Sequence, residues 1–237
     1  MNPFETTPDS RFELAAPGAA NRVAVFLRRV YGWMFAGLAL TGIVAAGMGA
    51  NPALVLGFAR NPVLFFGLMI AELGLVVFLS ARVLKMSPAA AAGSFIVYAG
   101  LNGVLFSVIF LAYTATSVAT TFFITAGMFG ALALFGTVTK RSLAGIGSFV
   151  SMGLIGLILA MVVGMFVHSD GLQFAISIIG VIVFTGLTAW DAQRLKAMAA
   201  ATPEGHVENL AIIGALRLYL DFVNLFLFLL RFMGRRK

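Results

Sequence analysis

The sequence predicts an all-α polytopic membrane protein with seven transmembrane helices, the last one central and wrapped by the other six. Three observations carry this prediction. The 237-residue chain is 61% hydrophobic and only 11% charged, where a soluble domain carries about 25% charged residues. Apolar runs of about 20 residues, long enough to cross the hydrocarbon of a bilayer, recur from end to end. The last of these runs holds Arg217, Asp221 and Asn224, which need protein or water around them rather than lipid. A central helix gives them that. A transmembrane β-barrel would show alternating segments of about ten residues, whereas these runs are continuous.

Each element has its own signal. The first span runs from about Val30 to Ala50, and Asn51-Pro52 breaks it. Asn61-Pro62 opens the second, which reaches Arg82, and Ser87-Pro88 opens the third, which ends near Tyr113. In each pair a side-chain acceptor precedes a proline, the pattern of a helix start. The fourth span runs from about Ser117 to Val138, the fifth from Leu143 to Val167, the sixth from Leu172 to Leu195 and the seventh from Leu210 to Phe232. Gly156, Ala160 and Gly164 recur at four-residue intervals on the fifth, a pattern that lets helix backbones approach closely. Met1 to Asn21, with three acids and three prolines, reads as a flexible polar tail and lacks the apolar stretch of a signal peptide. Residues 22–237 form a single membrane domain.

Charge gives the orientation. Arg22, Arg28 and Arg29, then Arg82 and Lys85, Lys140 and Arg141, and Arg194 and Lys196 fall in alternate connections. The positive-inside rule places those connections and the N-terminus in the cytoplasm. The net charge of +7 fits anchoring at an anionic leaflet rather than nucleic-acid binding. Arg235, Arg236 and Lys237 conflict with the rule if the last segment crosses, and agree with it if the segment turns back. With no cysteine, disulfides and thiolate metal sites are excluded.

Three acids lie inside apolar runs, where an unpaired charge costs several kcal/mol. On a helix, Arg217, Asp221, Asn224, Phe228 and Arg231 form one stripe, and Arg217 and Asp221 stand on consecutive turns, placed to pair. Asp191 lies near the cytoplasmic end of the sixth span, one turn after Thr188 and beside Trp190. Glu72 sits mid-span with no basic residue within one turn, so its partner must come from another helix. Packing roles explain each acid taken alone. Carboxylates that come close share a proton, which suits a pH-dependent latch or a cation site. Ca²⁺ takes six to eight oxygens, so two Asp support no more than a weak or transient site. Enzyme chemistry finds no footing. His168 and His206 stand apart in loops, Ser151 has no dyad His, and Gly145-Ile146-Gly147 lacks the rest of a nucleotide loop. No cofactor is expected.

Two stretches resemble the Bax inhibitor-1 family. Asp191-Ala192-Gln193-Arg194-Leu195 is similar to its Asp-x-Gln motif, and Leu218 to Phe226 with Leu229-Leu230-Arg231 is similar to its C-terminal motif. Val30 to Met34, with Gly37-Leu38 and Thr41, resembles its first span, and Ala71-Glu72-Leu73 the acidic spot of its second. The resemblance covers roughly residues 22 to 234. It implies seven helices with the last central, and a pH-sensitive Ca²⁺ leak gated by an aspartate pair, here Asp191 and Asp221. It also implies a basic latch from the second span, for which Arg82 is the nearest match, with Glu72, Arg217 and Asn224 in support. The connection Ala197 to Glu208 looks longer than in compact bacterial members. The composition suggests a bacterial inner-membrane member. The implied partners are the bilayer, protons and Ca²⁺ as the transported ion. Two other classes compete: a non-conducting protein that modulates a membrane protease or a stress or cell-death pathway, and a proton-coupled transporter.

Overall fold

A computed structural model describes residues 19–167, 169–201 and 207–237. Among them the chain forms α1 (Ala19–Gly49), α2 (Pro52–Arg60), α3 (Pro62–Arg82), a 3₁₀ turn (Val83–Lys85), α4 (Pro88–Phe106), α5 (Ile109–Ala112), α6 (Ala115–Val138), α7 (Ala144–Phe166), α8 (Asp170–Ala201) and α9 (Val207–Met233). Seven stretches of the described residues are long and apolar enough to cross a membrane: α1, α3 with its 3₁₀ turn, α4 through α5, α6, α7, α8 and α9. The chain is a multi-span, all-α membrane protein.

Local chemistry sets the helix starts. Asn51, Asn61 and Ser87 each accept a backbone N–H three residues on, at 3.2 Å, with a proline at the first helical position. Thr114 caps α6 in the same way at 3.3 Å. These caps satisfy donors that a helix start leaves unpaired. The structure differs from the sequence expectation at four places. Residues 52–60 form a further helix, α2, because Asn51 caps its start with Pro52 at the first helical position, and Asn61 with Pro62 then starts α3 separately. The third span is interrupted at Ser107, whose hydroxyl donates to Val104 O (2.7 Å), a local bond that competes with the helical ladder. α1 begins at Ala19, so residues 19–21 of the expected tail are helical, while the rest of that tail lies outside the described residues. Much of the expected Ala197–Glu208 loop is also helix, with residues 202–206 outside the described set.

α9 is the post of the bundle. Of its most apolar window 72% is buried, against 6% for α3. It packs chiefly against α1, α4, α6 and α8, while α3 leans on α4 and α7 on α8 in an outer layer. Close approach depends on small residues at particular places. A Cβ on Gly136 of α6 would stand 2.1 Å from the carbonyl oxygen of Ala189 on α8, so only glycine lets these two helices meet. The Gly156–Ala160–Gly164 face does not perform the same service throughout: Gly156 is exposed, and a Cβ there would meet open space. α7 instead approaches α8 at Gly147, which faces the ring of Trp190.

Contacts between connections define the two ends. At the basic end Arg29 pairs with Glu208, Asn209 donates to the carbonyls of Val83 and Met86, and Lys196 donates to Thr137 O (2.7 Å). α9 leaves this end and runs unbroken for 27 residues, about 40 Å at 1.5 Å per residue, more than the roughly 30 Å of hydrocarbon. It therefore crosses and does not turn back. At the far end its continuation pairs with the α5–α6 connection: Thr114 donates to Arg235 O (3.3 Å), Lys237 N–H to Ala112 O (3.0 Å), and Arg235 N–H to Ser117 Oγ (2.9 Å).

Two outcomes follow. Gly136→Ala should destabilise the bundle by about 1–3 kcal/mol through overpacking, read as a lowered midpoint of unfolding in detergent. Reporters fused before residue 19 and after Lys237 should appear on opposite faces of the membrane, and two reporters on one face would refute a crossing α9.

Candidate functional site

α8 turns Asp191 toward α9 by contacts on its other faces. The ring of Trp190 packs on Gly147, where a Cβ would come within 2.2 Å of it. Arg194 lies over that ring, 5.5 Å from its centroid. Gln193 bridges the α6–α7 turn, accepting from Leu143 N–H (2.8 Å) and donating to Arg141 O (2.9 Å). With these three residues fixed, Asp191 faces inward and is buried. Thr188, one turn earlier, donates to Phe184 O (2.7 Å) and so satisfies itself within its own helix.

α9 meets it with Arg217 and Asp221. The Asp191 and Asp221 carboxyls lie within hydrogen-bonding reach of each other. Arg217 Nη1 donates to Asp191 Oδ1 at 3.3 Å, with the Arg side chain 40% exposed and the Asp 6%. The expected ion pair between Arg217 and Asp221 is therefore not the one that forms. The contact runs across to α8 rather than along α9. Asp221 is left deep, and its Oδ2 has no hydrogen-bond partner among the described residues. A buried polar atom without a partner costs about 1–3 kcal/mol, more when charged. Two carboxyls this close hold a proton between them or draw in a cation.

Beside the pair lies a cavity of about 510 Å³ between α7, α8 and α9, whose polar lining is Ser151, Asp191, Arg194, Arg217, Asp221 and Asn224. Asn224 spends its amide N–H on Leu220 O (2.8 Å), which leaves its carbonyl oxygen as an acceptor. A pocket of about 50 Å³, lined by Asp191, Arg194, Arg217 and Met198 among others, adjoins the pair as well. Farther along the same stripe, Phe228 stacks on Phe184 with centroids 5.8 Å apart. Gly180 admits it: a Cβ there would stand 2.5 Å from the Phe228 ring.

Two predicted members lie elsewhere. Arg82 is exposed at the end of α3, whose following turn meets α9 at Asn209. Asn209 precedes Asp221 by 12 residues, about 18 Å along the helix, so Arg82 does not latch the pair in this arrangement. Glu72 has polar neighbours on another helix, the side chains of Tyr98 and Asn102 on α4. Tyr98 stacks edge-on against Tyr219 of α9 (5.8 Å), and the Tyr219 hydroxyl bonds Thr41 Oγ1 of α1 (2.8 Å). α9 thus shows a polar site to α8 and a second polar layer to α1 and α4. Gln193 is the member whose role sequence reasoning missed. Its signal was its place two residues after Asp191, as the one amide in the motif. Among the described residues no three His, Cys, Asp or Glu side chains gather as a metal site. His168 and His206 lie outside the described residues.

Comparison with known proteins identifies the family. Residues 23–237 match the family model described as inhibitor of apoptosis-promoting Bax1. Inner membrane protein YbhL of Escherichia coli is 48% identical over 216 residues, which cover 90% of this chain and 92% of that protein. An uncharacterized protein of Rickettsia prowazekii is 43% identical over 216 residues, 90% of each chain. An uncharacterized membrane protein of Streptococcus pyogenes is 35% identical over 212 residues, 89% of this chain and 92% of that one.

The Arg217–Asp191 contact should be measurable on its own. A double-mutant cycle of Arg217→Ala and Asp191→Asn should give a coupling of about 1 kcal/mol, modest because the Arg is partly exposed. The same cycle between Arg217 and Glu72 should give none.

Proposed function

Because the chain belongs to the Bax inhibitor-1 family, we propose that it is a pH-sensitive Ca²⁺ leak pathway of the inner membrane, gated by Asp191 and Asp221. The observation that carries this reading is the state of Asp221: buried, within reach of a second carboxyl, and holding an oxygen that no described residue satisfies.

The gate follows from charge. With one proton shared between the carboxyls and Arg217 on Asp191, the cluster is nearly neutral and α8 and α9 stay together. When the proton leaves, two neighbouring negative charges repel; unit charges ~4 Å apart do so by roughly 4 kcal/mol at an effective dielectric of 20. That is close to the ~5.5 kcal/mol that inverts a 1:99 equilibrium. The repulsion is relieved by separating the helices or by admitting a cation, and both open the path. Flux therefore rises with pH as the shared proton is lost.

Ca²⁺ is the cargo. Two carboxylates, the Asn224 carbonyl and water give it oxygen ligands, too few for tight binding and therefore suited to transit. From the pair the route continues through the 510 Å³ cavity to the Phe184–Phe228 stack, an apolar constriction of the kind that closes a pore by excluding water. Arg194 and Arg217 guard the entrance and discourage cations until the carboxylates outweigh them. Nothing in this chemistry calls for a catalytic residue or a resident cofactor.

Asp221→Asn keeps the shape and removes the titration. Ca²⁺ entry into proteoliposomes holding the purified variant should lose its pH dependence and fall about tenfold at high pH, roughly 1.4 kcal/mol of barrier. A variant with wild-type flux and an unchanged pH profile would sink the gate.

A further inference from the structure

α1 and α6 both lean on α9 but leave a furrow between them. Two adjoining hollows, of about 600 and 530 Å³, share Leu38, Ala39, Phe122 and Phe222. On α1 the lining runs from Tyr31 to Ala46, about 22 Å at 1.5 Å per residue, which exceeds one leaflet's roughly 15 Å of hydrocarbon. The floor is held open rather than filled: Phe222 meets Phe122 and Phe129 with ring centroids 5.4 and 5.5 Å away. Small residues open gaps in walls otherwise made of large ones such as Phe35, Ile43, Phe123 and Leu134. At Gly42 on α1 and Gly130 on α6 an added Cβ would meet nothing within 4 Å. This hollow is separate from the aspartate cavity, which lies between α7, α8 and α9.

What decides the occupant is the chemistry of one end. At the basic end the apolar lining finishes in two hydroxyl residues, Tyr31 and Thr137. Three cations stand around them. Lys196 donates from Nζ to the Thr137 carbonyl oxygen at 2.7 Å. Lys140 follows Thr137 by three residues and is exposed. Arg28 precedes Tyr31 by one turn, continues the α1 stripe that lines the furrow, and is exposed. An apolar trough about one acyl chain long, ending in hydroxyls and a positive rim, matches a lipid whose headgroup is negative. A zwitterionic lipid gains the trough but no net charge at the rim, and a second protein helix would leave the rim unpaired.

We propose that the furrow between α1 and α6 is a binding site for an anionic phospholipid, with one acyl chain along Ala39 and Gly130 and its phosphate on Arg28, Lys140 and Lys196. The chain replaces a missing helix contact and so completes the wall of α9 on that side. The headgroup neutralises the rim.

The test uses full-length protein in nanodiscs of equal phosphatidylglycerol and phosphatidylethanolamine, released into the gas phase to weigh the lipids that stay bound. The intact protein should retain phosphatidylglycerol about tenfold over phosphatidylethanolamine. Gly130→Leu, which fills the trough at a position with open space, should lose both lipids. Ala39→Leu on the opposite wall gives the same reading should the first variant fold poorly. Arg28→Gln with Lys140→Gln should keep the chain but bring the two lipids to near-equal retention. Equal retention by the wild type, retention untouched by both trough variants, or a protein dimer that excludes lipid would each overturn the site.

Discussion

The whole bundle depends on how a carboxylate is kept inside it. Asp221 lies on the helix that the other spans surround, where burial of a lone charge would cost several kcal/mol. The arrangement that tolerates it has three parts: a second carboxyl within hydrogen-bonding reach, an arginine on that second carboxyl, and a polar cavity alongside. None of the three works unless α8 and α9 are in register. The residues that hold α8 in rotation, Trp190 against Gly147 and Gln193 against the α6–α7 turn, therefore belong to the site as much as the acids do. Hydrogen bonds of this kind to backbone carry geometric information that a more apolar contact would not.

α9 resolves the conflict between solubility in lipid and polarity by splitting its faces. One face carries Arg217, Asp221 and Asn224 toward α8 and α7. Another carries Tyr219, whose hydroxyl reaches Thr41 while its ring meets Phe95 and Tyr98. Through Tyr98 this second layer extends to Glu72. The acids that lipid would reject, Glu72, Asp191 and Asp221, thus each have a polar neighbour on another helix. The outermost helices are free to be almost wholly apolar, as α3 is. The order of polarity from centre to rim is the reverse of a soluble protein's, as a hydrocarbon solvent demands.

Much of this was legible in the sequence, for stated reasons. Asn51-Pro52, Asn61-Pro62 and Ser87-Pro88 announce helix starts because cap and proline act within four residues of each other. The central place of α9 was legible because Arg217, Asp221 and Asn224 cannot face lipid. What was not legible depends on partners far along the chain. Arg217 chooses Asp191 over Asp221 because of the rotation of α8, set by contacts with residues about fifty positions earlier. Arg82 misses the site because α3 leans on α4, which periodicity does not reveal. In the repeated small-residue pattern Gly164 is buried against Gln173 and Ile176 of α8 while Gly156 faces outward, and the tightest approaches, at Gly136 and Gly147, lie outside that pattern. Small residues mark where helices can approach, and the facing side chain decides whether they do.

The helix that serves as the post comes after the other six in the chain. Helices enter a membrane in the order in which they are synthesised, so α1 to α8 must wait in the bilayer with their inward faces uncovered until α9 arrives. Thr41 lacks its tyrosine and Asp191 its partner acid during that interval. The assembly step is then a late insertion between preformed walls rather than the growth of a bundle from one side. The bonds between Arg235–Lys237 and the α5–α6 connection fasten the far end of that helix once it is in place.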